Sequence, residues 1–140
     1  MAVVSVLLVS PSDEDHLSLR AIIGHSRWML LHARDFETGL DLLRRNEIAV
    51  VICERGLRPA TWIDLLRHTA ALRHAPSFIV ASRLVDERLW AEALSLGARH
   101  VLAKPFDRLE VIRSVKLAWD HWSQQAQADA PAAKRISAAT

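Results

Sequence analysis

With 140 residues, 51% of them hydrophobic and 24% charged, the chain has the size and make-up of one globular domain rather than of a disordered segment. Its formal net charge is only +2, and its arginines are dispersed with no lysine-rich block, so the concentrated basic stripe that nucleic-acid binding requires is missing. A single cysteine, Cys53, excludes an internal disulfide framework and fits a reducing compartment, while no apolar run is long enough to span a bilayer.

The expectation is a cytoplasmic protein that binds neither membrane nor nucleic acid. In chain order, residues 3–9 form a continuous apolar run of strand length. No basic segment precedes it, and Pro11 with Asp13, Glu14 and Asp15 follows at once, so it reads as a buried strand rather than a signal peptide. Ser12 can cap a helix through its hydroxyl, with the three acids at the positive end of the dipole. Met29–Ala33 is a weaker strand. Asp35 opens a second helix in which Phe36, Leu40 and Leu43 recur at helical spacing, weakened locally by Gly39. Residues 49–53 make a third strand, and Thr61 caps a third helix carrying Ile63, Leu65, Leu66 and Leu72. Residues 78–81 are a fourth strand. Leu89, Ala93 and Leu96 stripe a fourth helix that Gly97 stops, since glycine tolerates left-handed backbone. Residues 101–103 are a short fifth strand. Asp107 caps a fifth helix, where Leu109, Ile112, Val115, Trp119 and Trp122 are expected to share one face. Beyond Ser123 the sequence is rich in Ala, Gln and Ser and lacks apolar periodicity. Residues 1–123 are therefore expected to fold and residues 124–140 to form a disordered tail.

Strands that are apolar throughout belong in a parallel sheet covered on both faces. Right-handed crossovers then give an α/β, doubly wound, five-stranded parallel sheet with five helices. Ligands of such sheets bind beyond the carboxyl ends of the strands. That rule singles out Ser10, Pro11 and Ser12 after the first strand, and Glu54 and Arg55 after the third. Ser82 and Arg83 follow the fourth, and Lys104, Pro105 and Phe106 the fifth.

Gly97-Ala98, followed by Val101-Leu102-Ala103-Lys104-Pro105-Phe106, resembles the Gly-Ala turn, short strand and Lys-Pro-Phe ending of response-regulator receiver domains. Ser82 stands at that family's hydroxyl position, with the family's spacing to the lysine. Val51-Ile52-Cys53-Glu54 ends at the position of its phosphoacceptor aspartate, with Leu57 three residues on. The resemblance runs from Val3 to about Trp122. It implies the flavodoxin-like receiver fold and a place in two-component or phosphorelay signal transduction, with no enzymatic activity of the chain's own. Implied partners are a histidine kinase or a separate output protein. A homodimer through the fourth helix, fifth strand and fifth helix is also implied.

Departures from the pattern bear on the chemistry. Where the family ends its first strand in two acids that hold Mg²⁺, this chain has Ser10 and Pro11. Mg²⁺ binds through carboxylates and water and bridges phosphoryl oxygens during transfer, so this function is expected to be lost. Glu54 carries one methylene more than aspartate, which displaces its carboxylate from the line of attack. The family's switch aromatic falls on Val101, which cannot act as a rotating aromatic reporter. Arg58 holds the usual proline position, with Pro59 after it. The resemblance and its departures together imply an atypical receiver with no cofactor, no metal and no catalytic residue.

Asp13 and Asp15 read as first-turn carboxylates that stabilise the first helix rather than as replacement acids. An alternative keeps phosphorylation, with Glu54 as acceptor and Asp13 recruited for Mg²⁺. Glu54 and Lys104 are expected to form an ion pair, which would partly imitate a phosphorylated aspartate. Ser82 either hydrogen-bonds that carboxylate or merely ends its strand. Cys53 reads as a small buried hydrophobe, and the seven histidines show no metal-ligand spacing. Trp90 and Trp122 are candidate interface anchors, with core packing the competing reading. A flavodoxin-like cofactor binder is the remote alternative. It is disfavoured because proline in Ser10-Pro11-Ser12 removes an amide that a phosphate cradle would use.

Overall fold

The computed structural model describes residues 4–128. Strands and helices alternate as β1 (Ser5–Val9), α1 (Asp13–Ile23), β2 (Met29–Ala33), α2 (Phe36–Arg45), β3 (Val50–Glu54) and α3 (Trp62–Ala70). They continue as β4 (Ser77–Ser82), α4 (Glu87–Leu96), β5 (His100–Ala103) and α5 (Arg108–Ala128). All five strands are parallel, in the order β2-β1-β3-β4-β5. This is the doubly wound sheet that the alternating pattern predicts.

Local sequence explains where the helices start. Ser12, Asp35, Thr61 and Asp86 each sit at an N-cap with extended backbone, and each side chain accepts a hydrogen bond from the amide three residues on. Asp107 does the same for Glu110. Such a cap stabilises by about 1 kcal/mol. α4 ends on Gly97, whose φ of 108° lies in the left-handed region that a side chain would resist.

Alternation along the central strands divides the core in two. Leu7, Val9, Val51, Cys53, Phe78 and Val80 pack toward α2, α3 and α4, while Val6, Leu8, Val50, Ile52, Ile79 and Ala81 pack toward α1 and α5. Gly39, a local weakness for α2, has a packing reason. A Cβ there would come within 3.0 Å of Val9 Cγ2, so its absence lets α2 press directly on β1.

α5 departs from its expected face. Val111, Val115, Ala118 and Trp122 are buried, whereas Leu109 is 71% exposed. Leu109 precedes Val111 by two residues, roughly 200° around the helix, and so points away from the stripe. Leu96 likewise lies exposed, off the α4 stripe. Trp122 belongs to the core, packed with Val111, Val115 and Ala118, and not to the surface where an interface anchor would sit. Residues 124–128, expected in a disordered tail, are the last residues of α5. Gln and Ala are good helix formers and extend a helix already anchored by Trp122. The rest of the expected tail, 129–140, lies outside the described residues. No helix among the described residues is long and apolar enough to cross a membrane.

Candidate functional site

At the carboxyl ends of the strands, three charged side chains meet. Lys104 follows β5, Glu54 ends β3, and Asp15 lies in the first turn of α1. Lys104 Nζ is 2.8 Å from Asp15 Oδ2 and 2.9 Å from Glu54 Oε1. The Lys104 and Asp15 side chains are each only 6% exposed, and that of Glu54 16%. Ser10 Oγ donates to the same Asp15 oxygen at 2.7 Å and accepts from the Ser12 amide at 3.1 Å. Burial by itself would lower the Lys104 pKa. The hydrogen bonds and negative charges of Asp15 and Glu54 outweigh it and hold the ammonium above its ordinary value. The other Glu54 oxygen, Oε2, is buried without a hydrogen-bond partner, so Glu54 is held through one oxygen only.

Of the residues marked out by the sequence, Glu54, Lys104 and Ser10 come together. Asp13 stays outside, exposed and ion-paired with Arg34, while Pro11 is exposed at the turn. Asp15 takes the place in the cluster, although its sequence reading is that of an ordinary first-turn carboxylate. The signal for it is spacing: Asp15, Leu19 and Ile23 recur every four residues and are all buried, so Asp15 lies on the core-facing side of α1. Ser82 closes its own turn, donating to Leu84 O at 3.0 Å and accepting from the Leu84 amide at 3.1 Å. It ends its strand and does not bond Glu54. Val101 is buried in the core on the α2–α4 side. Cys53 is also buried. Desolvation, then the Glu54 charge, push its thiol pKa far up, which leaves it unreactive.

Beside β5, Trp90 is half-buried and meets the His100 ring edge-on at 5.0 Å between centroids. His100 Nε2 and Glu110 Oε1 are 3.8 Å apart, too far for a hydrogen bond. Desolvation accordingly lowers the His100 pKa despite the nearby carboxylate. On the other side of the pocket is a contact that sequence spacing does not reveal. His16 Nε2 is 2.8 Å from the Ser10 carbonyl oxygen, and His16 Nδ1 is 2.7 Å from His32 Nδ1 on β2.

The Mg²⁺ implied by the receiver resemblance does not fit this donor set. Mg²⁺ requires near-octahedral oxygen coordination, usually with one or two free carboxylates and several waters. Here one oxygen of each carboxylate is already paired with the Lys104 ammonium. The Ser10 hydroxyl is committed to Asp15, and the Pro11 side chain has no donor atom. Among the described residues, no group of three His, Cys, Asp or Glu side chains could hold a metal ion. One ammonium against two carboxylates leaves the cluster with one net negative charge.

No protein-family model matches the chain. It is 23% identical over 117 residues to Protein CcdB of Bacillus subtilis strain 168, across 83% of this chain and 98% of that protein. Among solved structures it is similar to the signal receiver domain of an HD domain-containing protein from Pseudomonas fluorescens Pf-5. That match has 24% identity and a TM-score of 0.79, and covers 88% of this chain and 99% of the other. A CheY-like response regulator receiver domain protein from Methanospirillum hungatei JF-1 matches at 16% identity and a TM-score of 0.78, over 89% and 99% of the two chains. The chemotaxis response regulator CheY4 of Vibrio cholerae matches at 14% identity and a TM-score of 0.75, over 84% and 99%. The parallel sheet in the order β2-β1-β3-β4-β5, with its polar cluster at the carboxyl ends, therefore has the fold of the response-regulator receiver domains.

Proposed function

We propose that this chain is an atypical receiver of two-component or phosphorelay signalling that works through protein contacts, without Mg²⁺-dependent phosphorylation. The observation that carries this reading is the turn after β1, where Ser10 and Pro11 supply no carboxylate for Mg²⁺. Asp15, which joins the cluster instead, is bonded to Ser10 and Lys104. Glu54 at the acceptor position carries its carboxylate one methylene beyond where an aspartate would aim it. It also places fixed negative charge where a phosphoryl group would bring it. The partner class is a histidine kinase or a separate output protein. The contact face is α4-β5-α5, where Trp90 is half-buried against His100, and the same face would serve a homodimer. Trp90 suits such a contact because aromatic side chains anchor interfaces through large, rigid buried area.

The test is incubation of the purified chain with acetyl phosphate and Mg²⁺, followed by measurement of the intact mass. The expected product is the unmodified chain. A stoichiometric phosphoryl adduct would overturn the reading in favour of a phosphorylatable receiver, and mapping it would show whether Glu54 is the acceptor.

A further inference from the structure

His16 is buried, and it lies one residue from Asp15 on a helix whose apolar positions already supply the packing. Its two ring nitrogens face different partners, and each partner restricts where protons sit. The Ser10 carbonyl can only accept, so at 2.8 Å His16 Nε2 must carry a hydrogen. The two Nδ1 atoms are 2.7 Å apart, so one must donate and the other accept. With His16 neutral and its hydrogen on Nε2, His16 Nδ1 is the acceptor and His32 Nδ1–H the donor. A further proton can enter at His32 Nε2 with both contacts intact. The same proton can equally sit on His16 Nδ1 if His32 keeps its own on Nε2. When both rings are charged, however, each Nδ1 carries a hydrogen and two N–H groups face each other.

These contacts join a continuous chain of hydrogen bonds. His32 leads to His16, and His16 to the Ser10 carbonyl. The Ser10 hydroxyl leads to Asp15, and Asp15 to Lys104 and Glu54. We infer that His16 and His32 form a brace for the end of β1, holding Ser10 and Asp15 in place for Lys104, and that a charge on both rings releases it. The groups facing the pair are Arg20 on α1, and Arg34, Asp35 and Thr38 around the end of β2 and the start of α2. Arg34 is paired with Asp13, and Asp35 accepts from the Thr38 amide, which leaves Arg20 without an ion-pair partner among the described residues. Desolvation, then His16 and Arg20, lower the His32 pKa. The surroundings therefore oppose positive charge on His32, as a brace built from neutral rings requires.

The inference rests on Asp15, Lys104 and Glu54 being the working cluster of the domain. A phosphoryl adduct would sink the phosphate-free reading and leave the ring chemistry standing; a wrong tautomer would do the reverse. Long-range ¹H–¹⁵N correlation on the full, ¹⁵N-labelled chain reads the ring protons directly, from about pH 8 to about pH 5 across the histidine range. At the alkaline end, His16 is expected as the Nε2–H form and His32 as the Nδ1–H form. On acidification, the Ser10, Ser12 and Asp15 backbone amides are expected to hold through the first ring protonation and to shift with the second. His16→Gln keeps a donor for the Ser10 carbonyl but cannot titrate. It is expected to leave these amides near their wild-type positions and to abolish their shift in this pH range. His32 found as the Nε2–H tautomer at the alkaline end, rings that never both become charged, or pocket amides that ignore the second protonation would overturn the brace. If His16→Gln does not fold, the wild-type ring spectra decide alone.

Discussion

The pocket and the switch position on β5 are built from opposite materials. The pocket end is polar, with a lysine, two carboxylates and a serine drawn from α1, β3 and the segments after β1 and β5. Val101 belongs to an apolar core cluster that also holds Leu89, Ala93 and Ala98. What specifies each region differs accordingly. In the pocket every group depends on its partners, because a buried charge stripped of its counter-charge is costly. Around Val101 only volume matters. The first region is sensitive to deletion of charge, the second to addition of bulk.

The largest effect is expected from Lys104→Met, which leaves Asp15 and Glu54 facing each other without a cation. Urea denaturation should show a loss of about 3–5 kcal/mol, the range for breaking a buried ion pair from one side. Alkali sharpens this test. The folded Lys104 pKa is raised above the ordinary 10.5, so its stabilisation is fully present below that value and lost as pH rises through the higher folded one. The gap between wild type and variant should narrow in strong alkali, and a constant gap would break the assignment. Next, Asp15→Asn should cost about 1.5–3 kcal/mol through lost hydrogen bonds to charged Lys104. Asp13→Asn, at an exposed pair, should stay within about 0.5 kcal/mol. Equal effects at the two acids would contradict the division of labour between them. Val101→Tyr, which restores the family's aromatic, should destabilise by about 1–3 kcal/mol through overpacking. A neutral outcome would mean that β5 has room the packing does not show.

The fold was legible because the local rules agree. Apolar runs mark the strands, and Ser12, Asp35, Thr61 and Asp107 mark helix starts by a mechanism that needs no tertiary information. Glu54 and Lys104 were legible because topology sends any side chain at those strand ends into the same space. Asp15 was harder, since three acids in one helical turn all satisfy the dipole rule and only the spacing to Leu19 and Ile23 separates the buried one from its neighbours. The contact of His16 with His32 was beyond reach, because it joins α1 to an edge strand through ring orientation, which spacing along the chain does not encode. α5 misled for a different reason. So many of its residues are large and apolar that several stripes can be drawn, and the sheet beneath selects the one through Val111 and Val115.

An ion pair made from a protein's own side chains keeps no time. A phosphorylated aspartate is a message with a lifetime: it is written, it persists and it hydrolyses. Lys104 with Asp15 and Glu54 has no such clock. On the proposed reading, occupancy of the partner follows mass action, set by the abundance of this chain and its affinity. Synthesis and degradation would then do for this domain what a kinase and a phosphatase do for a timed one.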